Sequence, residues 1–283
     1  MYESLQQMQE ICETENKAFW ELVMEEEANE KQNSHEEVFE MMRSMYRAMV
    51  QADENYEDRR SASQMTGGAG ELMAKWNRDE KTLSGPFLGQ VMERALKMAE
   101  SNACMKRIVA APTAGSCGVL PAVMITYQKL EKCPEDEIVK ALFVAAGIGQ
   151  IIASRASIAG AQGGCQAEIG SASAMTAGAL VFLRGGSLQQ IYEATALALK
   201  GLLGLVCDPV AGLVEVPCVK RNVIGAVNAV SCSDMVMAGI TSFIPVDQVI
   251  DAMDEIGRNM PCQYKETSQG GLAVTPAGKS VVL

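Results

Sequence analysis

Three cysteines of this 283-residue chain sit inside Gly- or Pro-marked breaks between apolar stretches. They lie in Gly163-Gly164-Cys165-Gln166-Ala167-Glu168, in Gly204-Leu205-Val206-Cys207-Asp208-Pro209-Val210-Ala211-Gly212 and in Val216-Pro217-Cys218-Val219-Lys220-Arg221-Asn222. Cys165 falls just before one expected helix, and Cys218 follows a proline suited to opening another. At such positions the free N–H groups and the helix dipole favour thiolate over thiol. Thiolate is the form that binds iron, and helix N-termini suit an anionic group. Spacing alone does not make the three a set. Forty-one residues separate Cys165 from Cys207 and ten separate Cys207 from Cys218, which matches neither a zinc finger nor the compact ferredoxin run. On loop position, a metal-binding triad and three unrelated buried thiols both stay open.

The elements that would position these loops read as helices. Residues 3 to 57 carry apolar positions at helical spacing, among them Leu5, Met8, Ile11, Cys12, Val38, Met41, Met42, Met45 and Met49, with glutamates on the wet face. The methionines are expected to be soft packing rather than a cofactor box. Thr66-Gly67-Gly68-Ala69-Gly70 and Ser84-Gly85-Pro86 read as turns, and Pro86 opens a helix to about Ser101. Pro134 followed by Glu135, Asp136 and Glu137 marks the start of another, running to about Ser154, because carboxylates favour the positive end of a helix. Further helices are expected near 168–183, 187–204, 217–240 and 245–257. Strand signals are scarce. The fold class expected is all-α: an acidic helical segment over 1–60 and a Gly/Ala-rich helical catalytic domain over 61–283, the two packing as one unit.

Composition narrows the function. Hydrophobic residues at 48% and charged ones at 21% call for a packed chain, not a disordered one. The longest apolar stretch, Ala141 to Ala153, is interrupted by Gly147, Gly149 and Gln150, so no membrane span is expected. Met1-Tyr2-Glu3-Ser4 has no basic and apolar leader, and a cytoplasmic location is expected. Residues 1–60 hold 16 acidic against 6 basic side chains, and the remainder is close to neutral with 19 against 18. That distribution disfavours nucleic-acid binding. Nine cysteines, an odd number, argue against a closed disulfide framework.

The three cysteine segments resemble the ligand loops of iron–sulfur-dependent L-serine dehydratases, in particular the α subunit of the two-subunit type. So do Ala111-Pro112-Thr113-Ala114-Gly115-Ser116-Cys117-Gly118 and Tyr264-Lys265-Glu266-Thr267-Ser268-Gln269-Gly270-Gly271-Leu272-Ala273. Five segments in order, with the acidic lead-in, spread the resemblance over most of the chain. It implies a helical catalytic domain and a [4Fe–4S] cluster on Cys165, Cys207 and Cys218. It also implies L-serine as substrate, breakdown to pyruvate and ammonia in amino-acid catabolism feeding gluconeogenesis, a β-subunit partner and an oligomeric enzyme.

Three protein thiolates leave one iron open to act as a Lewis acid on the serine hydroxyl. The reaction then needs a carboxylate pocket and a base for the α-proton. For the pocket, the loops at Thr113, Ala114, Gly115 and Ser116 and at Gly67 and Gly68 offer backbone N–H groups, and Lys220 and Arg221 offer positive charge. For the base, the candidates besides Lys220 and Arg221 are Lys265 and Glu168. The only histidine, His35, lies in the acidic lead-in and is expected to be a spectator. Relatives carry a Ser-Ser-Ser-His-Thr segment in a partner domain or β subunit, and this chain has none, so the partner is expected to complete the site.

Of the other cysteines, Cys12, Cys104, Cys133 and Cys232 are expected in the core, while Cys117 and Cys262 fall where they can approach the cluster. Some single-chain relatives place a C-terminal cysteine on the open iron. The last residues here, Lys279 to Leu283, include none, and that self-ligation is not expected. A pyridoxal-phosphate enzyme would need a Schiff-base lysine and a phosphate loop in an α/β pattern, and neither context is present. A cysteine desulfidase and a non-catalytic cluster carrier remain as alternatives.

Overall fold

A computed structural model describes residues 2–281; Met1, Val282 and Leu283, read above as parts of the two termini, lie outside the described residues. The described residues form helices and turns with no strand, apart from one isolated bridge between Cys207 and Lys265. In chain order the helices are α1 (Leu5–Glu15), α2 (Phe19–Lys31), α3 (His35–Glu54), α4 (Ala69–Arg78), α5 (Gly85–Ala103), α6 (Val119–Glu131), α7 (Glu135–Arg155), α8 (Gly160–Gly163), α9 (Ser171–Leu183), α10 (Leu188–Lys200), α11 (Cys218–Met237), α12 (Val246–Asn259) and α13 (Pro276–Lys279).

The centre of the fold is α9. Every residue from Ser171 to Val181 is buried, and α6, α7, α10 and α11 pack around it. A helix enclosed on all sides has no wet face, so its sequence is small and apolar throughout rather than striped. Two of its hydroxyls are absorbed locally: Thr176 Oγ1 donates to the Ala172 carbonyl at 2.7 Å, and Ser173 Oγ to the Gly225 carbonyl of α11 at 2.8 Å. These small side chains let α9 and α11 come close, which brings together the two helices that begin beside Cys165 and at Cys218.

The acidic lead-in is three helices rather than one long stripe. Asn16 and Gln32 end α1 and α2 in left-handed conformation, and Ser34 caps α3 in a capping box with Glu37. The acidic first turn of α7 also does more than favour its own dipole. Glu135 accepts from Arg47 at 2.8 Å, and Arg43 pairs with Asp136, which ties α3 to α7. One apolar core runs from Leu5, Phe19 and Val38 through Ile148 and Ile152 to Ala196 and Ile250. Met8 and Met49 are buried in it, but Met41 and Met45 are nearly half exposed and line an apolar cavity instead of packing solidly.

Two of the longer helices were hidden in the sequence, as were the one-turn α8 and α13. Gly67-Gly68-Ala69-Gly70 is not merely a turn, because Ala69 opens α4; α6 follows the Thr113 loop directly. α10 stops at Lys200, short of the expected 204, and gives way to turns between Gly201 and Gly204. The sequence also understated α7, which by length and composition alone could cross a membrane. Other helices bury 67% of its apolar window, so it is a core helix here.

Gly147 shows how tightly the lead-in is seated. A Cβ there would lie 2.5 Å from Val23 Cγ2 and 3.0 Å from Phe19 Cζ, both on α2. Gly147→Val should therefore destabilise the fold by about 2 kcal/mol through overpacking, read as a lower urea midpoint at unchanged slope. An unchanged midpoint would show that α2 lifts freely from α7.

Candidate metal centre and substrate loop

The three cysteines come from three segments that other residues lock in place. Cys165 precedes a π-helical turn, Gln166–Gly170, which runs straight into α9. Gln166 anchors that turn from outside: its side chain accepts from Gly204 N at 2.8 Å and donates to the Met253 carbonyl at 2.9 Å. Cys207 is held at its backbone, where its N–H donates to Tyr264 O at 2.8 Å and its carbonyl accepts from Glu266 N at 2.9 Å. Cys218 is the first residue of α11, and the loop before it is fixed through Glu215, whose carboxylate accepts from Ser61 and Ser63 at 2.6 Å each.

Arg221, one turn into α11, connects two of these segments. Its Nη1 lies 3.3 Å from Cys165 Sγ and donates to the Val206 carbonyl at 2.8 Å, while Nη2 pairs with Asp208 at 2.8 Å. Asp208 in turn accepts from Leu272 N at 2.8 Å, so the Tyr264–Ala273 segment closes over the Cys207 loop. All three thiols are buried. The ligand atoms of Cys165, Cys207 and Glu168 lie within 4.8 Å of one another; the Cys218 thiol, buried at the start of α11, lies outside that group.

The electrostatics correct the simple helix-terminus argument. Cys165 is held below its ordinary pKa chiefly by a hydrogen bond from Cys207, then by Arg221, against the opposing effect of burial. Cys207 is raised by that same hydrogen bond and by burial. Cys218, despite starting a helix, is pushed up to about 12 by burial and the neighbouring Cys165 charge. At an enclosed cluster of thiols, desolvation and mutual repulsion outweigh a half-charge from a helix dipole.

Glu168 forms the other wall. Its carboxylate accepts from Thr113 Oγ1 at 2.8 Å, and burial raises its pKa, with the Thr113 hydrogen bond opposing and Glu266 adding. Gly160 leaves room for it: a Cβ there would sit 2.9 Å from Glu168 Oε2 and 3.3 Å from Cys207 Sγ. The Thr113–Ser116 loop is thus at the site, docked on α11 by Asn222, which donates to Gly115 O at 2.8 Å and accepts from Gly118 N at 2.8 Å. Ser116 is wholly buried and turned back to Thr113, while Ala114 is exposed.

Other sequence candidates fall elsewhere. The N–H groups of Ala69 and Gly70, beside Gly67 and Gly68, are taken by the buried Glu100 carboxylate at 2.9 and 3.1 Å, so that loop has an internal anion already. Lys220 is exposed on α11. Lys265 lines a cavity of about 610 Å³ behind the Cys165 segment, with Arg155 and Arg258, and its Nζ reaches only the Arg258 carbonyl. Cys117 turns away toward Met98 O, and exposed Cys262 is not in the thiol group. Cys12 and Cys232 are buried, whereas Cys104 and Cys133 are only partly so; His35 is exposed. The sequence reading missed Asn222, Asp208, Glu215 and the Ser61/Ser63 pair as supports. Asp208, Glu215 and Asn222 stand in or beside the cysteine segments, which was the available signal; Ser61 and Ser63 gave none.

The donor set fits an iron–sulfur group: three buried soft sulfurs from separate loops, a cation beside them, and a glycine where a side chain would intrude. Residues 14–273 match the family model described as serine dehydratase alpha chain. The chain is 43% identical to the probable L-serine dehydratase alpha chain of Bacillus subtilis (strain 168), over 99% of this chain and 94% of that one. It is 36% identical to the L-serine dehydratase alpha chain of Peptoniphilus asaccharolyticus, over 99% and 97%. A 182-residue match at 45% identity to L-serine dehydratase TdcG of Escherichia coli (strain K12) covers 64% of this chain and 40% of that longer protein.

The Asp208–Arg221 pair makes a direct prediction. With both side chains largely buried, Arg221→Met should destabilise the fold by about 3 kcal/mol, because Asp208 loses its counter-charge. Adding Asp208→Asn should recover part of that loss in urea unfolding. If the double variant is no more stable than the single one, the pair is not the constraint.

Proposed function

The chain belongs to the serine dehydratase alpha-chain family, and we propose that it is the cluster-bearing lyase subunit that converts L-serine to pyruvate and ammonia. The observation that carries this reading is the grouping of Cys165 and Cys207 with Glu168 and the Thr113 loop in one buried site, with the buried Cys218 opening α11 one turn before Arg221. Cys165, Cys207 and Cys218 would hold a [4Fe–4S] cluster, which when bound supplies a Lewis-acidic iron that makes hydroxide a better leaving group.

The chain's own residues account for the rest of the chemistry. Arg221 balances negative charge at the sulfurs and keeps the Cys165 and Cys207 segments in register. The Thr113–Ser116 loop supplies backbone N–H donors toward the substrate carboxylate, its two hydroxyls being engaged with Glu168 and with each other. Glu168, a carboxylate with a raised pKa beside that loop, is the group of this chain best suited to hold the α-proton of serine. Of the sequence candidates, Lys220 and Lys265 lie off the site and Arg221 is engaged. Loss of the α-proton and the β-hydroxyl gives an enamine, which tautomerises and takes up water to release ammonia and pyruvate. Removal of bulk water and final positioning of serine fall to a β subunit. The alpha-chain naming of the relatives and the greater length of the Escherichia coli relative support that partner. Nine unpaired cysteines are in keeping with a reducing cytoplasmic setting.

Iron and sulfide analysis after anaerobic reconstitution should give a full cluster for Cys133→Ser and none for Cys207→Ser. Glu168→Gln should retain the cluster while serine-dependent pyruvate formation falls by at least about 100-fold, the usual scale for loss of an acid–base group. Unchanged turnover in that variant removes Glu168 from the proton path. Measured alone, the chain should bind iron but turn over serine poorly, with activity restored by the β subunit. Full activity of the single chain would overturn the division of labour.

A further inference from the structure

A second polar cavity, of about 500 Å³, lies where the acidic lead-in meets the rest of the chain. It opens between the last turn of α3, the linker after it and the end of α5. Its lining is unusual for this half of the molecule. Residues 1–60 are strongly acidic, yet the cavity carries Lys106 and Arg107 against the single carboxylate of Glu57. Lys106 Nζ is partly committed, at 2.6 Å from Glu57 and 3.2 Å from the Asn55 carbonyl that it covers at the end of α3. Arg107, exposed at the mouth, has no ion pair among the described residues.

An unmet donor lies at the inner wall. Ser101 is 3% exposed and its Oγ has no hydrogen-bond partner among the described residues. Buried hydroxyls are nearly always paired, so one left open against a polar cavity is a donor available to a ligand there. The carboxamides of Gln51 and Asn55 add neutral donors around it. A guanidinium, an ammonium and a hydroxyl around one space fit an oxyanion, which arginine binds in a fork. The position also has consequences. The residue after Ser101 is Asn102, whose Nδ2 donates to the Ala114 carbonyl at 3.2 Å, within the Thr113–Ser116 loop.

We propose that this cavity is a regulatory site for a small organic oxyanion, a carboxylate or a phosphate, held by Arg107, Lys106 and Ser101. Its occupancy is transmitted to the substrate loop through Asn102 and Ala114. The regulatory part rests on the serine-dehydrating role of that loop; the binding part does not.

Isothermal titration of the full chain with inorganic phosphate and, separately, with citrate tests the binding and distinguishes the two chemistries. Saturable 1:1 heat is expected for at least one of them. Arg107→Ala, an exposed position, should weaken it at least tenfold, and Glu57→Gln should tighten it several-fold by releasing Lys106. With the β subunit present, the bound anion should shift the serine KM at least twofold in the wild type and not in Arg107→Ala. No saturable heat with either probe, heat that Arg107→Ala leaves unchanged, or an unmoved KM overturns the proposal. Absence of any serine turnover overturns the functional reading alone, since the calorimetric arm is read without it.

Discussion

The pair formed by Arg221 and Asp208 is the contact on which the site depends. The Cys165 and Cys207 segments also meet through Gln166, and the Cys207 and Cys218 segments through Val210 N and Val216 O, but one guanidinium touches the sulfur of Cys165, the backbone before Cys207 and the carboxylate after it. It does so from α11, the helix that begins at Cys218. A lysine there would offer a single ammonium and could not span three acceptors at fixed angles. The desolvation of both charges is offset because Asp208 has a second donor in Leu272 N and Arg221 the Val206 carbonyl as well as the Cys165 sulfur.

That arrangement relies on helices able to approach closely. Cys165 leads through a π turn into α9, and Arg221 projects from α11; the two helices meet through Ser173 and the Gly225 carbonyl. Larger side chains on α9 would push α11 outward and stretch the guanidinium away from Cys165. The small-residue composition of α9 is therefore a requirement of the site as much as of the core. The π turn belongs to the same logic: anchored by Gln166 to Gly204 and Met253, it absorbs one extra residue just where Glu168 must face Thr113.

Much of this was legible in the sequence, for identifiable reasons. Helices α5, α7, α11 and α12 announce themselves through Pro86, Pro134, Pro217 and Pro245, since proline marks a first turn whatever surrounds it. The all-α class followed from missing alternation. The hidden parts depend on long-range partners. α4 begins in a glycine run that looks like a turn until Glu100, thirty residues on, supplies the carboxylate for its N-terminal amides. The lowered pKa of Cys165 and the raised one of Cys218 reverse what local position alone suggests for the latter, because burial and a neighbouring charge act through space. The capping box of Ser34 with Glu37 is a local pattern that the sequence reading passed over.

The distribution of polar groups argues for an enzyme completed from outside. Within the site each strong donor or acceptor already has an internal partner: Arg221 with Asp208, Glu215 with two serines, Asn222 with Gly115 and Gly118. These contacts fix geometry and leave little free to move a proton. Glu168 is the exception, since Thr113 gives it one hydrogen bond while burial favours its neutral form. A single carboxyl can accept a proton, but expelling water and orienting a small zwitterion takes more surface than one loop offers. On physical grounds, then, this chain supplies a rigid thiol nest, and the lid is the part that the partner proposed above would supply.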